Sequence, residues 1–170
     1  MRRKDREKDR DFGLMVIDKA PYGVLSMVDE GLPYSIPLSQ VRLGDYIYFH
    51  GAGGGRKKEL FDTKPRVSLV FVTDVRVADK YSNEDIKNME NPGKIISKVY
   101  TTEFASAICT GTIEEVLDPE EKKKALRALV EKHMEDKLEF FDLAMKTSLD
   151  RTWVWKLRIE ELTAKAKYVR

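Results

Sequence analysis

One cysteine, two histidines and no long apolar run set the first limits on this 170-residue chain. Cys109 stands alone, so no intrachain disulfide can form; that suits a reducing cytosol and leads to the expectation of a cytoplasmic protein. His50 and His133 are the only histidines and the acids are scattered, so no metal-ligand constellation is expected. No apolar stretch nears the roughly 20 residues of a membrane helix, and none follows the charged opening Met-Arg-Arg-Lys-Asp-Arg. Neither a membrane partner nor a secretory leader is therefore expected. Charge of one sign is missing too. Charged residues make up 35% of the chain, yet the net charge is only +2, too little to imply a nucleic-acid partner.

What is present fits a globular protein. Hydrophobic residues are 42%, the length suits one domain with a real core, and no repeat or long linker divides the chain. We therefore expect a single domain over 1–170. Residues 1–10 alternate in sign after Arg2-Arg3. They read either as a solvated helix start with i,i+4 pairs or as a flexible basic arm for a polyanion.

Hydrophobic periodicity predicts a helix over 11–20, with Phe12, Met15 and Val16 on one face, ended by Pro21. A strand over 23–28 follows, then an Asp29-Glu30-Gly31 turn and a returning strand over 32–41. Pro33 and Pro37 lie in that second strand and cannot donate to a ladder, so it should be an edge, bulged or ligand-facing. A tight turn at Leu43-Gly44-Asp45 leads to a third strand over 46–50, making an antiparallel meander. A short helix over 55–63 and a strand over 65–72, apolar on both faces, come next. Residues 74–98 form an irregular excursion with one helical turn. A long strand over 99–116, bent near Gly111, leads to a helix capped by Asp118. Pro119 suits that helix's first position and Glu121 the acid of a capping box. A second helical piece over 137–145 and a last strand over 152–162 complete the chain. The expected fold is mainly β (α+β): about six antiparallel strands in a closed or nearly closed barrel with peripheral helices.

The most informative stretch is Tyr46-Ile-Tyr-Phe-His-Gly-Ala-Gly-Gly-Gly-Arg-Lys-Lys. A strand stops at His50, a bare glycine turn follows, and two cations open a helix. Glycines let amide groups approach an anion closely, so this reads as a phosphate site. It is not a dinucleotide fingerprint, whose last glycine would fall at Arg56, nor a P-loop, since Lys58 stands where Ser or Thr belongs.

These residues resemble the pyridoxamine-phosphate-oxidase-like FMN-binding split barrels, and within them the nitroimidazole-resistance-type branch. The resemblance runs through Met1-Arg-Arg-Lys-Asp-Arg6, Tyr22-Gly-Val-Leu-Ser-Met27, Pro33-Tyr34 with Pro37-Leu38-Ser39, Tyr48-Phe-His-Gly-Ala52, Gly55-Arg-Lys57, Pro65-Arg-Val-Ser68 and Asp150-Arg-Thr152. It implies a split barrel that forms a homodimer with FMN at the interface, and redox chemistry on a small organic, nitroaromatic substrate. By position, Arg56 and Lys57 would hold the FMN phosphate, and Ile36, Pro37, Leu38 and Ser39 would line the isoalloxazine. His50, Gly51 and Ala52 would pass beneath ring and ribityl chain. Tyr100, Thr101 and Ser106 would face the partner subunit's flavin, and Trp153 would supply an aromatic wall. Arg56 replaces the branch's usual histidine, which supports phosphate binding and weakens any activity assigned to that histidine.

No acid or base is assigned, because flavin carries its own chemistry. A non-catalytic flavin carrier or sensor, a haem-binding relative and a deazaflavin protein remain alternatives. His50 reads equally as a strand-end residue bonded to backbone, His133 as a surface residue, Cys109 as core, and Trp153 and Trp155 as one strand face.

Overall fold

A computed structural model describes residues 2–169. Met1, where the family-like opening begins, and Arg170 lie outside the described residues. A 3-10 turn at Lys4–Arg6 leads into β1 (Glu7–Lys8), α1 (Arg10–Lys19), β2 (Gly23–Asp29), β3 (Leu32–Leu38), β4 (Val41–Leu43) and β5 (Tyr46–Gly51). Then come α2 (Arg56–Asp62), β6 (Arg66–Val77), α3 (Asn83–Lys87), α4 (Ile96–Val99) and β7 (Thr102–Glu115). The chain closes with α5 (Pro119–His133), α6 (Phe141–Ser148), β8 (Trp153–Arg158) and β9 (Glu161–Lys167).

The strands form one antiparallel system in the order β3-β2-β6-β7-β8-β5-β4, with β9 on β7 and β1 on β9. The expected α+β class, an antiparallel sheet flanked by helices, is what is found, and the sheet is open rather than closed. The long strand β7 belongs to both halves. Its first part, up to Thr110, pairs with β9, and from Ile113 it pairs with β8. Gly111 stands at the change of partner, where a Cβ would overlap the Arg158 carbonyl oxygen. The expected bend therefore coincides with a place where two backbones meet too closely for any side chain.

Several expectations need correction. The predicted meander does not exist. β2 and β3 form one hairpin, β4 and β5 another, and the predicted returning strand crosses between sheets at Ser39–Gln40. Gln40 is buried at the crossing and its amide donates to the carbonyls of Ile17 (2.9 Å) and Ala20 (3.2 Å) at the end of α1. Those bonds satisfy carbonyls at the end of α1, and the Gln40 backbone carbonyl, outside the ladder, meets His133 Nε2 at 2.9 Å. β3 is an edge strand, as Pro33 and Pro37 required. The last strand also divides, into β8 and β9, so among the described residues there are nine strands rather than about six. β6 runs to Val77 through a bulge, where Asp74 takes φ 56°. Its second face is not buried, because Val72 stays 45% exposed. The 74–98 excursion holds two short helices. Ahead of α1 the chain makes the 3-10 turn at Lys4–Arg6 and the short strand Glu7–Lys8 paired to β9, rather than one continuous helix start; the helix begins at Arg10, capped by Asp9.

Two cores result. One lies on the inner face, where Leu25, Leu69, Phe71, Cys109 and Ile113 meet Val16 and Ile17 of α1. Phe49, Phe61 and Trp155 pack there with ring centroids 5.3–6.5 Å apart. Each such aromatic pair contributes about 1 kcal/mol beyond its buried area. The other core places α5 and Phe141 of α6 over Val41, Tyr48 and Val154. Asp118 caps α5 by accepting from the Glu121 amide at 2.9 Å. Glu121 does not complete a capping box. Its carboxylate accepts from the Tyr48 hydroxyl (2.8 Å) and from Lys156 (2.8 and 3.0 Å), tying α5 to the sheet.

Candidate functional site

β5 and β8 build the site. Their six-residue ladder pairs His50 with Val154 and Gly51 with Trp153, so the glycine turn leaves the sheet beside both tryptophans. The period of two puts Trp153 and Trp155 on one face. Trp155 is fully buried and Trp153 half-buried. A Cβ at Gly53 would overlap the Trp153 ring, so the turn lies flat against it. Gly55 takes φ +87°, a conformation that favours glycine, and opens α2.

Lys57 is the distinctive group. Its ammonium lies 5.5 Å from the centre of the Trp155 ring and fills the space where a Gly51 side chain would stand. Among the described residues it has no carboxylate partner. Partial burial alone pushes its pKa below the ordinary lysine value. A half-buried cation with no counter-charge among the described residues, beside a turn of bare glycine backbone, can receive an anion.

Arg56 is placed differently. Its guanidinium forks onto both oxygens of Asp29 at the end of β2 and reaches Glu30 (3.5 Å) and Glu59 (3.3 Å). Hydrogen bonds to Asp29 and Glu59 raise its pKa. The two adjacent cations of the sequence are thus placed differently: Arg56 ties the hairpin to α2, and Lys57 has no carboxylate partner among the described residues.

His50 and Ala52 are exposed and Gly51 half-buried. Desolvation first, then the charges of Lys57 and His133, lowers the His50 pKa. Neither of its ring nitrogens has a protein hydrogen bond among the described residues. Along the end of β3, Ile36 is half-buried, Pro37 and Ser39 are exposed, and Leu38 points into the core. Leu38 can therefore offer a ligand only its backbone. Tyr100 and Thr101 precede β7 and lie at the opposite end of that strand from Glu115, which pairs with Trp155. Ser106 is buried on β7 between Val72 and Lys165. The structure thus gathers His50, Gly51, Ala52, Lys57 and Trp153, and sets Tyr100 and Thr101 apart from them.

Cys109 is a core residue as expected; burial pushes its thiol up to about 12. His133 is not a surface residue: it is half-buried, with Nε2 2.9 Å from the Gln40 carbonyl oxygen. Among the described residues no group of His, Cys, Asp and Glu could hold a metal, and no helix is long and apolar enough to cross a membrane. Sequence reasoning missed Asp29 and Gln40, whose partners lie 20 or more residues away. No local pattern announces such contacts.

The pyridoxamine 5'-phosphate oxidase family model matches residues 9–166. The chain belongs to that family. No curated protein matches it. Among solved structures of related fold is a candidate 5-nitroimidazole antibiotic resistance protein from Bacteroides thetaiotaomicron. It is 23% identical with TM-score 0.70, over 94% of this chain and 84% of that one. The flavocytochrome Anf3 from Azotobacter vinelandii is 20% identical with TM-score 0.76, over 99% and 72%. An FAD and haem binding protein from Mycobacterium smegmatis is 18% identical with TM-score 0.75, over 95% and 73%. At these identities the likeness shows the fold that this member of the family shares with them.

Proposed function

We propose that this protein binds FMN at the interface of a homodimer and acts as an oxidoreductase on small organic molecules, nitroaromatics being the first class to test. The observation that carries the reading is Lys57, a half-buried and uncompensated cation against a glycine turn. Membership of the oxidase family and likeness to flavin- and haem-binding structures support it. The residues fit the group: Lys57 supplies the charge for a phosphate, and Gly54 and Gly55 leave open space around the turn.

Bound flavin would supply reversible acceptance of hydride and electrons. The chain's own residues do the rest. Lys57 neutralises the phosphate, and the exposed backbone of edge strand β3 around Ile36 to Ser39 offers hydrogen bonds to a flat polar ring. Trp153 limits water on one side. His50, held toward its neutral form, can accept or donate a single hydrogen bond near the ribityl chain. The whole chain, 1–170, serves as one split-barrel unit in a cytoplasmic protein.

One observation favours a homodimer. The outer face of β6 and β7 leaves Val72 45% and Ile108 40% exposed, a patch suited to a second copy.

The test is the absorbance spectrum of the purified protein before and after FMN is added. Bands near about 370 and 450 nm, retained through gel filtration, are expected. A colourless protein that ignores FMN would overturn the reading, and a Soret band would move it to haem. Flavin bands without turnover of reduced nicotinamide or nitro compounds would leave a flavin carrier.

A further inference from the structure

The basic arm has a place in the fold. β1 pairs with β9, and this brings the 3-10 turn at Lys4–Arg6 against β9, with Arg6 across a cavity from Ser97 and Lys98 of α4. Three adjoining cavities of about 390, 460 and 600 Å³ open there, and all share Arg6 and Lys167 in their walls. The groove has two different ends. One is cationic, with Arg6, Lys98 and Lys167. The other carries Tyr100, 80% exposed, with Val99 and the hydroxyls of Thr101 and Thr102.

The charges are not cancelled. Asp5, the acid in the wall, is taken by Arg3 in a two-pronged pair. Glu7 pairs with Lys4, and Glu103 accepts from Arg76 and the Val169 amide. Among the described residues, none of Arg6, Lys98 and Lys167 has a carboxylate partner; Lys167 donates only to the neutral Thr101 hydroxyl. Arg6 and Lys167 are also half-buried. Three cations that line one cavity without acid partners favour an anion of more than one charge. Tyr100 is an open aromatic face for a planar group. Phe104 is less available, because Lys165 stands 5.5 Å from its ring centre.

We propose that this groove is a nucleoside diphosphate site, with the diphosphate among Arg6, Lys98 and Lys167 and the base on Tyr100. Each of the three cavities is of ordinary ligand size. The ligand could arrive as a free nucleotide or as the ADP half of a dinucleotide; only the second source rests on the flavin reading above.

The test is calorimetric titration of the full chain with ADP, inorganic pyrophosphate, FAD and reduced nicotinamide adenine dinucleotide. ADP binds once per chain. Arg6→Ala with Lys167→Ala weakens it at least about 10-fold, as expected for lost charge-assisted contacts. Lys98→Glu, an exposed charge reversal that disturbs no packing, weakens it in the same direction and keeps the test valid if the double variant misfolds. Tyr100→Ala weakens ADP and leaves pyrophosphate unchanged. Lys57→Ala leaves ADP unchanged, so failure of the flavin site does not imitate failure here. Tighter binding of a dinucleotide than of ADP, or the reverse, identifies the source, and either result supports the site where Lys98→Glu weakens it and Lys57→Ala does not. No ADP binding at millimolar concentration, or equal affinity in wild type and Lys98→Glu, overturns the proposal.

Discussion

Replacing Lys57 by methionine separates binding from stability. Methionine keeps the apolar stem over Trp155 and removes only the charge. A hydrogen bond to a charged group contributes about 1.5–3 kcal/mol. Lys57 is half-exposed, so solvent screening favours the lower part of that range, about 1.5–2 kcal/mol. FMN should therefore bind roughly 10- to 30-fold more weakly. The empty protein should not suffer, because wild type holds that cation without a counter-charge; its Tm stays level or rises by up to about 2 °C. The pH dependence follows from the lowered pKa. Between the folded pKa and the ordinary value near about 10.4, the unfolded chain holds more protons than the folded one. Wild-type stability without ligand therefore rises with pH through that window, and Lys57→Met lacks the rise. A bound phosphate returns the proton, so FMN binding at alkaline pH takes up protons in wild type only. Fluorescence titration gives the affinity, calorimetry in two buffers the proton uptake, and thermal melts the stability. An affinity within about twofold of wild type would refute the assignment of Lys57 to the phosphate.

Arg56→Ala should change FMN affinity by less than about threefold, since its guanidinium is already committed to Asp29; a loss of about 10-fold or more would return Arg56 to the phosphate. Gly111→Ala should destabilise the fold by about 3 kcal/mol or more in urea unfolding, because the new methyl meets the Arg158 carbonyl; an unchanged midpoint would mean the strands separate there freely. Glu121→Gln should lower stability at pH 7 by about 1–2 kcal/mol. Hydrogen bonds from Lys156 first, opposed by desolvation, hold the Glu121 pKa below its ordinary value. Its contribution is therefore complete above the unfolded pKa and disappears as pH falls through the folded one, so the two proteins should converge in acid; a constant gap would contradict the ion pair.

Much of the architecture was legible locally. The Asp118-Pro119 start of α5, the Gly23–Asp29 and Tyr46–Gly51 strands and the glycine turn before α2 each depend on residues within a few positions of one another. Prolines 33 and 37 placed β3 at an edge, since a missing N–H forbids a central position wherever the strand lies. Gly111 announced a bend, though not that two sheets divide there.

The sequence by itself determined most of the element types, the α+β class, the family and the presence of two cations after a glycine turn. Only the tertiary structure decided what those cations do. Arg56 is drawn to Asp29, 27 residues away, and Lys57 is left facing an aromatic ring without a counter-charge. Likewise the pattern of residues 32–41 cannot reveal that Gln40 bonds to the end of α1 and carries the chain into another sheet. Nor can the charge alternation of the first ten residues reveal that β9 draws them beside Lys98 and Lys167. Propensity and periodicity act over one or two turns of chain. Ion pairing, desolvation and strand exchange are set by groups that meet only when distant segments fold together.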